Sequence, residues 1–589
     1  MIRPPLTFIK KHAALALFIF FTGLYLLTAG GHFYNQDGYF KYLTLDQIFN
    51  GAGPFHPRFF TPGLGGRMTT SFPPGTSIWM LPLYLAGKAV MALVLLWNPS
   101  ATINPALFFS PFFVTFLNVF FSAGLCALFF TGVFRMGMPL RSSLGMALCL
   151  GLGTLVWPYS KFCYSEPQAA LFLWTAFMSF YGLRTDAKIA SSTATPPPRN
   201  DEEADHRKAA HEEVLSVRAQ QNNLSHAVLW LCCAVLTKYE TIFLWPAFAV
   251  YGFYSLKKSQ PVGRARDLIF ASVPPQLLTA GLLILWNYWR TGHGWTFGHY
   301  GGYLFSNLWG WGIAMAVLAG AVLYLWKRPA VSGIHWGIKL LAVAGMGFYL
   351  WAAPAGRGEV YAVLFAPGKS LFVFSPLLLL TAAGYPAFLK RFRAEALFTA
   401  ALFFSYLLFL PPTLQSAAWQ WGPRFFVSLI PFLFLPACVF FDGASESLIK
   451  RSLKIGVILL SFGVQILAVS VSYLDTFNYT SQRVSDDFNR PLVDFQIERK
   501  AVFPRMIEDW SYAPLTMQTA VLRSVLTGKN PPVPRETLAF KTNVKKPQNW
   551  KWDFWWVYLW HWPELSGRVR LTAIFLALLA LISLARVLR

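Results

Sequence analysis

The chain has 589 residues, of which 55% are hydrophobic, 17% aromatic and only 13% charged. Soluble domains carry roughly 25% charged residues, so this chain cannot cover its apolar surface in water, and six cysteines without a Cys-x-x-Cys pair exclude a disulfide scaffold or a zinc ribbon. The net charge of +24 sits at the ends of apolar runs rather than along a stripe, which argues against nucleic acid as a partner and for an all-α polytopic membrane protein.

The first apolar run, about Ala13–Ala29, follows Arg3, Lys10 and Lys11 and reads as an uncleaved anchor with a cytoplasmic N-terminus. Further runs lie near 106–134, 141–158, 164–183, 226–237, 240–255, 268–288, 308–326, 338–353, 370–388, 396–411, 424–441, 454–474 and 570–588, about 13–14 transmembrane helices in all. The apolar stretch 76–97 is expected to lie along the external interface. If it spanned, the basic clusters Arg135/Arg141, Lys257/Lys258/Arg264/Arg266, Lys327/Arg328 and Lys390/Arg391/Arg393 would all move outside. The same rule makes 226–255 a short V with Lys238, Tyr239 and Glu240 near its external tip. Both termini then fall on the cytoplasmic side.

Three domains follow. Residues 1–474 form a transmembrane catalytic module, with 30–77 as its first external loop and 184–225 as a flexible, Pro-containing cytoplasmic loop. Residues 475–569 form a small external C-terminal region, and 570–589 the last span. The end of that region packs six tryptophans into Trp550–Trp562. It reads as an interfacial aromatic belt, with a stacking platform for sugar rings as the sharper alternative.

With this topology the external loops collect ionisable groups that are costly near a membrane and functional by default. Asp37 follows the first span, flanked by aromatics and Gly38; a carboxylate there can take a proton from an attacking hydroxyl. Asp46 and Glu166 compete for that role. Lys161, Lys238, Arg290, Lys369 and Arg424, with Tyr164 and Glu166 beside them, stand at the ends of different spans and would bind a phosphate or pyrophosphate. Pro-Gly-Lys369-Ser and Gly-Pro-Arg424 each open a span, where backbone N–H groups favour an anion. His293 and His299 lack a diagnostic metal spacing, so no metal site is assigned.

The ordered motifs resemble the bacterial integral-membrane glycosyltransferases of the GT-C fold, the protein mannosyltransferase-like and aminoarabinose transferase-like enzymes. The carriers are Asn35-Gln36-Asp37, Phe72-Pro-Pro-Gly75, Tyr164-Ser-Glu166-Pro, Leu236-Thr-Lys238-Tyr-Glu240, Asn287-Tyr-Trp-Arg290, Pro367-Gly-Lys369-Ser and Trp421-Gly-Pro-Arg424, covering about residues 12–440. The resemblance implies a GT-C-like helical bundle in the bacterial inner membrane, interfacial helices in the first external loop and an extracytoplasmic active site. It implies a polyprenyl-phosphate-linked sugar donor, a glycan, lipid or protein acceptor, and Asp37 as the general base of an inverting single displacement. Many members carry a second acidic residue beside this base, as Asp-Glu or Asp-x-Asp, whereas this chain has Gly38 and then Tyr39, so no cofactor is assigned and a divalent metal stays open without the support of a second acidic residue. A transporter or flippase of lipid-linked saccharide, and a polysaccharide polymerase or ligase, are the competing readings.

Overall fold

The computed structural model describes residues 6–50, 61–62, 68–70, 72–97, 105–192, 221–259, 265–292, 360–409, 420–442, 447–487, 495–528, 552–560 and 566–588. The expected spans at 308–326 and 338–353, His293, His299 and most of the loop 184–225 lie outside the described residues. Within them the chain is helical, apart from one antiparallel pairing of Thr61–Pro62 with Met68–Thr69. A helix satisfies its backbone polar groups internally, which is the condition for placing apolar runs in a bilayer.

The first half of the chain forms α1 (Leu6–Thr28), α2 (Gln36–Asn50), α3 (Gly75–Trp97), α4 (Pro105–Val114), α5 (Leu117–Arg135), α6 (Leu140–Gly153), α7 (Val156–Lys161) and α8 (Glu166–Ser192). Then come α9 (221–237), α10 (Trp245–Ser259) and α11 (Ala265–Thr291). Among the described residues, four helices are long and apolar enough to cross a membrane: Gly75–Trp97, Phe109–Arg135, Leu448–Ser470 and Gly567–Val587. The runs expected at 13–29, 141–158 and 424–441 fall on the shorter apolar helices His12–Thr28, Leu140–Gly153 and Arg424–Phe440. The last of these is broken into short turns because Pro431 and Pro436 each restart it.

The chain reverses at Lys238. On α9, Trp230 stacks on Phe172 of α8 at 5.6 Å and Lys238 meets Glu166 at 2.9 Å. On α10, Tyr251 lies 5.4 Å from Phe177 and Tyr254 lies 5.7 Å from the Arg184 guanidinium. Thus α9 rises along α8 and α10 descends along it, and the tip carries the polar residues. The expected interfacial stretch 76–97 is the single helix α3, long and apolar enough to span. Its neighbours are α2 and α4, and its first turns reach the same tip, where Trp79 Nε1 donates to Thr237 Oγ1 at 2.9 Å.

A layer of buried rings fills the bundle between its two polar ends. Phe177 stacks on Phe398 at 5.4 Å, and Trp174 and Phe248 pack on Phe432 at 5.4 and 6.3 Å. On one side of this layer on α8 stands Glu166. On the other, Arg184 pairs with buried Glu395 at 2.6 Å, and Tyr251 OH donates to the same carboxylate at 3.0 Å.

In the C-terminal region, Tyr473–Asp487, Phe495–Glu508 and Pro514–Thr527 are helices, and Phe477 and Val484 of the first and Val502 and Met506 of the second share a small core with Ala362 and Ala366. Residues 552–560 do not share that core. They return to the bundle, where Trp555 N–H donates to Ala29 O at 2.8 Å.

Candidate functional site

Asn35 starts α2 by capping it: its Oδ1 accepts the Gly38 N–H at 2.6 Å, the N-cap to N3 bond. Asp37 therefore sits in the first turn of a helix, where the dipole favours a carboxylate. Gly38 packs so closely on the next segment that a Cβ there would lie 2.7 Å from Cys163 O. A side chain at position 38 would therefore require the Cys163 backbone to move.

Arg424 is the hub. Its Nη2 donates to Asp37 Oδ2 at 2.6 Å, its Nε donates to Glu166 Oε1 at 2.7 Å, and its guanidinium lies 3.7 Å over the Tyr164 ring. Only an arginine fork can grip two carboxylates and stack at once. Lys238 donates to the same Glu166 oxygen at 2.9 Å and lies 3.4 Å from Glu240. Asp37, Tyr164, Glu166, Lys238 and Arg424, drawn from four segments, thus converge on one cluster.

The carboxylates are not equivalent. The Glu166 side chain is 0% exposed, and two cations share one of its oxygens. The Asp37 side chain is 28% exposed. Asp46, the other competitor, lies away from the hub and accepts from Tyr84 OH at 2.8 Å and Asn50 Nδ2 at 2.6 Å. Asp37 is the more exposed carboxylate of the two that Arg424 holds.

Sequence reasoning missed Lys41. It is buried one helical turn after Asp37, on the same face of α2, and its Nζ lies 4.8 Å over the Phe72 ring. Among the described residues it forms no ion pair. Burial lowers its pKa, against the opposing pull of the Asp37 and Glu166 carboxylates. The Asp37–Lys41 spacing of one turn was the signal that could have found it.

Lys369 and Arg290 act one step away. Lys369 Nζ donates to Gln420 O and Gly422 O at 2.9 and 3.0 Å, so it shapes the loop that delivers Arg424. Arg290 donates to Thr70 O at 2.9 Å and to Asn287 Oδ1 at 3.1 Å, tying α11 to the loop ahead of α3.

Lys161 departs from the expectation of a phosphate ligand. Its ammonium donates to Asp553 Oδ2 at 2.8 Å, Val469 O at 2.9 Å and Asp553 O at 3.3 Å, which takes up all three of its N–H donors. Asp553 also accepts from His32 Nε2 at 3.0 Å, from Tyr34 OH at 2.5 Å and from Tyr558 OH. Burial alone would raise the Asp553 carboxyl, but Lys161 and His32 beside it hold it well below the usual carboxylate range. The tryptophans next to it are likewise engaged: Trp555 and Trp556 donate their indole N–H groups to Leu26 O and Leu27 O at 2.7 and 2.8 Å. Among the described residues, no group of three His, Cys, Asp or Glu side chains is arranged to hold a metal ion.

No protein-family model, no curated protein and no solved structure matches this chain.

Proposed function

We propose that the chain is a membrane glycosyltransferase of the GT-C kind. It moves a sugar from a polyprenyl-phosphate donor to an acceptor on the extracytoplasmic side of a bacterial inner membrane. In this reading both termini are cytoplasmic and α3 lies along the external interface. The observation that carries it is the pairing of the more exposed carboxylate, Asp37, with an arginine whose other bonds go to a sealed one, Glu166.

The chemistry runs in two steps. The donor phosphate enters between Arg424, Lys41 and Lys238 and competes for the Arg424 Nη2 that now holds Asp37. Glu166 keeps the guanidinium in place through Nε while this partner exchange occurs. Asp37 Oδ2, once released, accepts the proton of the acceptor hydroxyl or amine. The acceptor atom bonds to the anomeric carbon, the bond from that carbon to the phosphate oxygen breaks, and polyprenyl phosphate leaves as an anion stabilised by the same cations. The leaving group needs no proton, so one carboxylate suffices, unlike in hydrolases that use two.

The ring layer argues against the flippase reading. A route for a charged headgroup would need polar side chains through the bundle. Phe177, Phe398 and Phe432 are buried between the Glu166 cluster and the Arg184–Glu395 pair instead. The test is purified protein in lipid, supplied with radiolabelled polyprenyl-phosphate sugars and a membrane-lipid extract as acceptor pool. Label reaching an acceptor supports the transferase. Sugar-lipid crossing the bilayer without transfer supports the flippase.

A further inference from the structure

We infer that Asp553 is a positioning residue: one carboxylate from near the end of the chain sets the two arms that carry the carboxylates of the candidate site. The first arm runs from His32 to Asp37 and the second from Lys161 to Glu166. Asp553 grips the start of each, through His32 and Tyr34 on one side and Lys161 on the other. Among the described residues it contacts neither Asp37, Glu166 nor Arg424.

Each arm passes the constraint on by named bonds. Three residues after His32, Asn35 caps the helix turn that holds Asp37. After Lys161, the carbonyls of Phe162 and Tyr164 accept from Asn118 Nδ2 at 2.5 and 2.6 Å, which sets the Tyr164 ring beneath Arg424 and leads into Glu166. Arg424 bonds to the end of both arms, so a shift in either changes its geometry.

The segment around Asp553 is itself held rigidly. Its own N–H donates to Ser470 O at 3.1 Å, and the Trp555 N–H donates to Ala29 O at the end of α1. At the crossing point Gly31 adopts φ of +70°, and a Cβ there would lie 2.6 Å from Phe112 and 2.8 Å from Trp555. A glycine is needed there on both counts, strain and space. The carboxylate is 2% exposed and its donors come from three segments far apart in sequence. A surface tail would not build such an arrangement.

The structural half of this inference stands by itself; its catalytic half rests on the transferase reading. The test compares wild type with Asp553→Asn, which keeps the shape, and Asp553→Glu, which keeps the charge, all in lipid. Hydrogen–deuterium exchange is followed peptide by peptide, alongside label transfer with the radiolabelled donor. Asp553→Asn is expected to speed exchange about tenfold in peptides covering 32–40 and 159–166, with peptides of α10 and of residues 124–135 of α5 unchanged. Its kcat falls about tenfold because the base is displaced, and the donor KM rises by a smaller factor because Arg424 shifts with the arms while Lys41 and Lys238 remain. Asp553→Glu restores part of both. Exchange raised only at 552–560, or raised evenly through the bundle, overturns the inference. Faster exchange in both arms with unchanged kcat overturns its catalytic half. The exchange pattern in protein that shows no transfer supports the two-arm constraint and counts against the transferase.

Discussion

Two clusters at the same end of the bundle use the same chemistry to opposite ends. Around Asp553, one carboxylate receives Lys161, His32, Tyr34 and Tyr558 and is 2% exposed. Around Arg424, the buried carboxylate Glu166 is saturated on one oxygen, while Asp37 stays 28% exposed and holds a single guanidinium bond. The first cluster is closed, so nothing can enter it without breaking it. The second has a partner that can be exchanged and, in Lys41, a buried cation that rests on the Phe72 ring and forms no ion pair among the described residues. A cation at a helix end is therefore open to a ligand or structural according to whether its donors are used up, not according to its position there.

The largest expected effects separate these clusters by readout. Asp37→Asn is expected to lower the transfer rate by ~10²–10⁴-fold, the usual contribution of a general base, with thermal stability almost unchanged. Asp553→Ala is expected to do the reverse in emphasis. It strands Lys161 without its counter-ion and costs about 3–5 kcal/mol of stability, read as a lowered unfolding midpoint. If Asp37→Asn unfolded the protein, or Asp553→Ala left stability intact, the division between a reactive and a structural cluster would fail.

Acidity sharpens the same contrast. The folded Asp553 carboxyl is held well below its ordinary value of 3.8, so its contribution is fully present above that value and is lost as pH falls through the folded one. The groups facing it are Lys161, His32, Tyr34 and Tyr558, with Asp475 acting on the two tyrosines from a little farther away. Wild type is expected to lose stability below about pH 4, and Asp553→Asn, already weaker, to lose less over that range. Parallel pH profiles for the two proteins would remove Asp553 from the explanation.

A smaller effect is expected from Lys41→Gln. Removing a buried ammonium without an ion-pair partner among the described residues leaves stability equal or higher. Losing one phosphate contact raises the donor KM about tenfold. The smallest is Trp556→Phe, which removes one indole donor from Leu27 O and costs about 1 kcal/mol in the unfolding equilibrium, without changing the rate of transfer.

Helix positions were largely legible, because apolar runs of span length leave few alternatives. So was the reversal at Lys238, since a charged pair between two short apolar runs marks a tip. Of the polar set named from the sequence, Tyr164, Glu166, Lys238 and Arg424 meet at Asp37, whereas Lys369 and Arg290 bind backbone or neighbouring groups instead. The role of Lys161 was not legible, because its partner Asp553 is 392 residues away and no local spacing announces it. The tryptophans of 552–560 read as an aromatic belt for the same reason: their indole partners, Leu26 O and Leu27 O, are backbone atoms and carry no sequence signal. Gly38 read as the loss of a second acidic residue, and the Cys163 backbone packed against it leaves no room for a side chain, a contact that no local spacing announces.

The most direct measurement is label transfer from radiolabelled polyprenyl-phosphate sugar by wild type, Asp37→Asn and Asp46→Asn side by side in lipid, with equal folding checked for all three. Transfer by wild type and Asp46→Asn but not by Asp37→Asn is the expected result and makes Asp37 the base. Equal transfer by wild type and Asp37→Asn would contradict it, since the more exposed carboxylate of the Arg424 cluster would then be idle in the reaction.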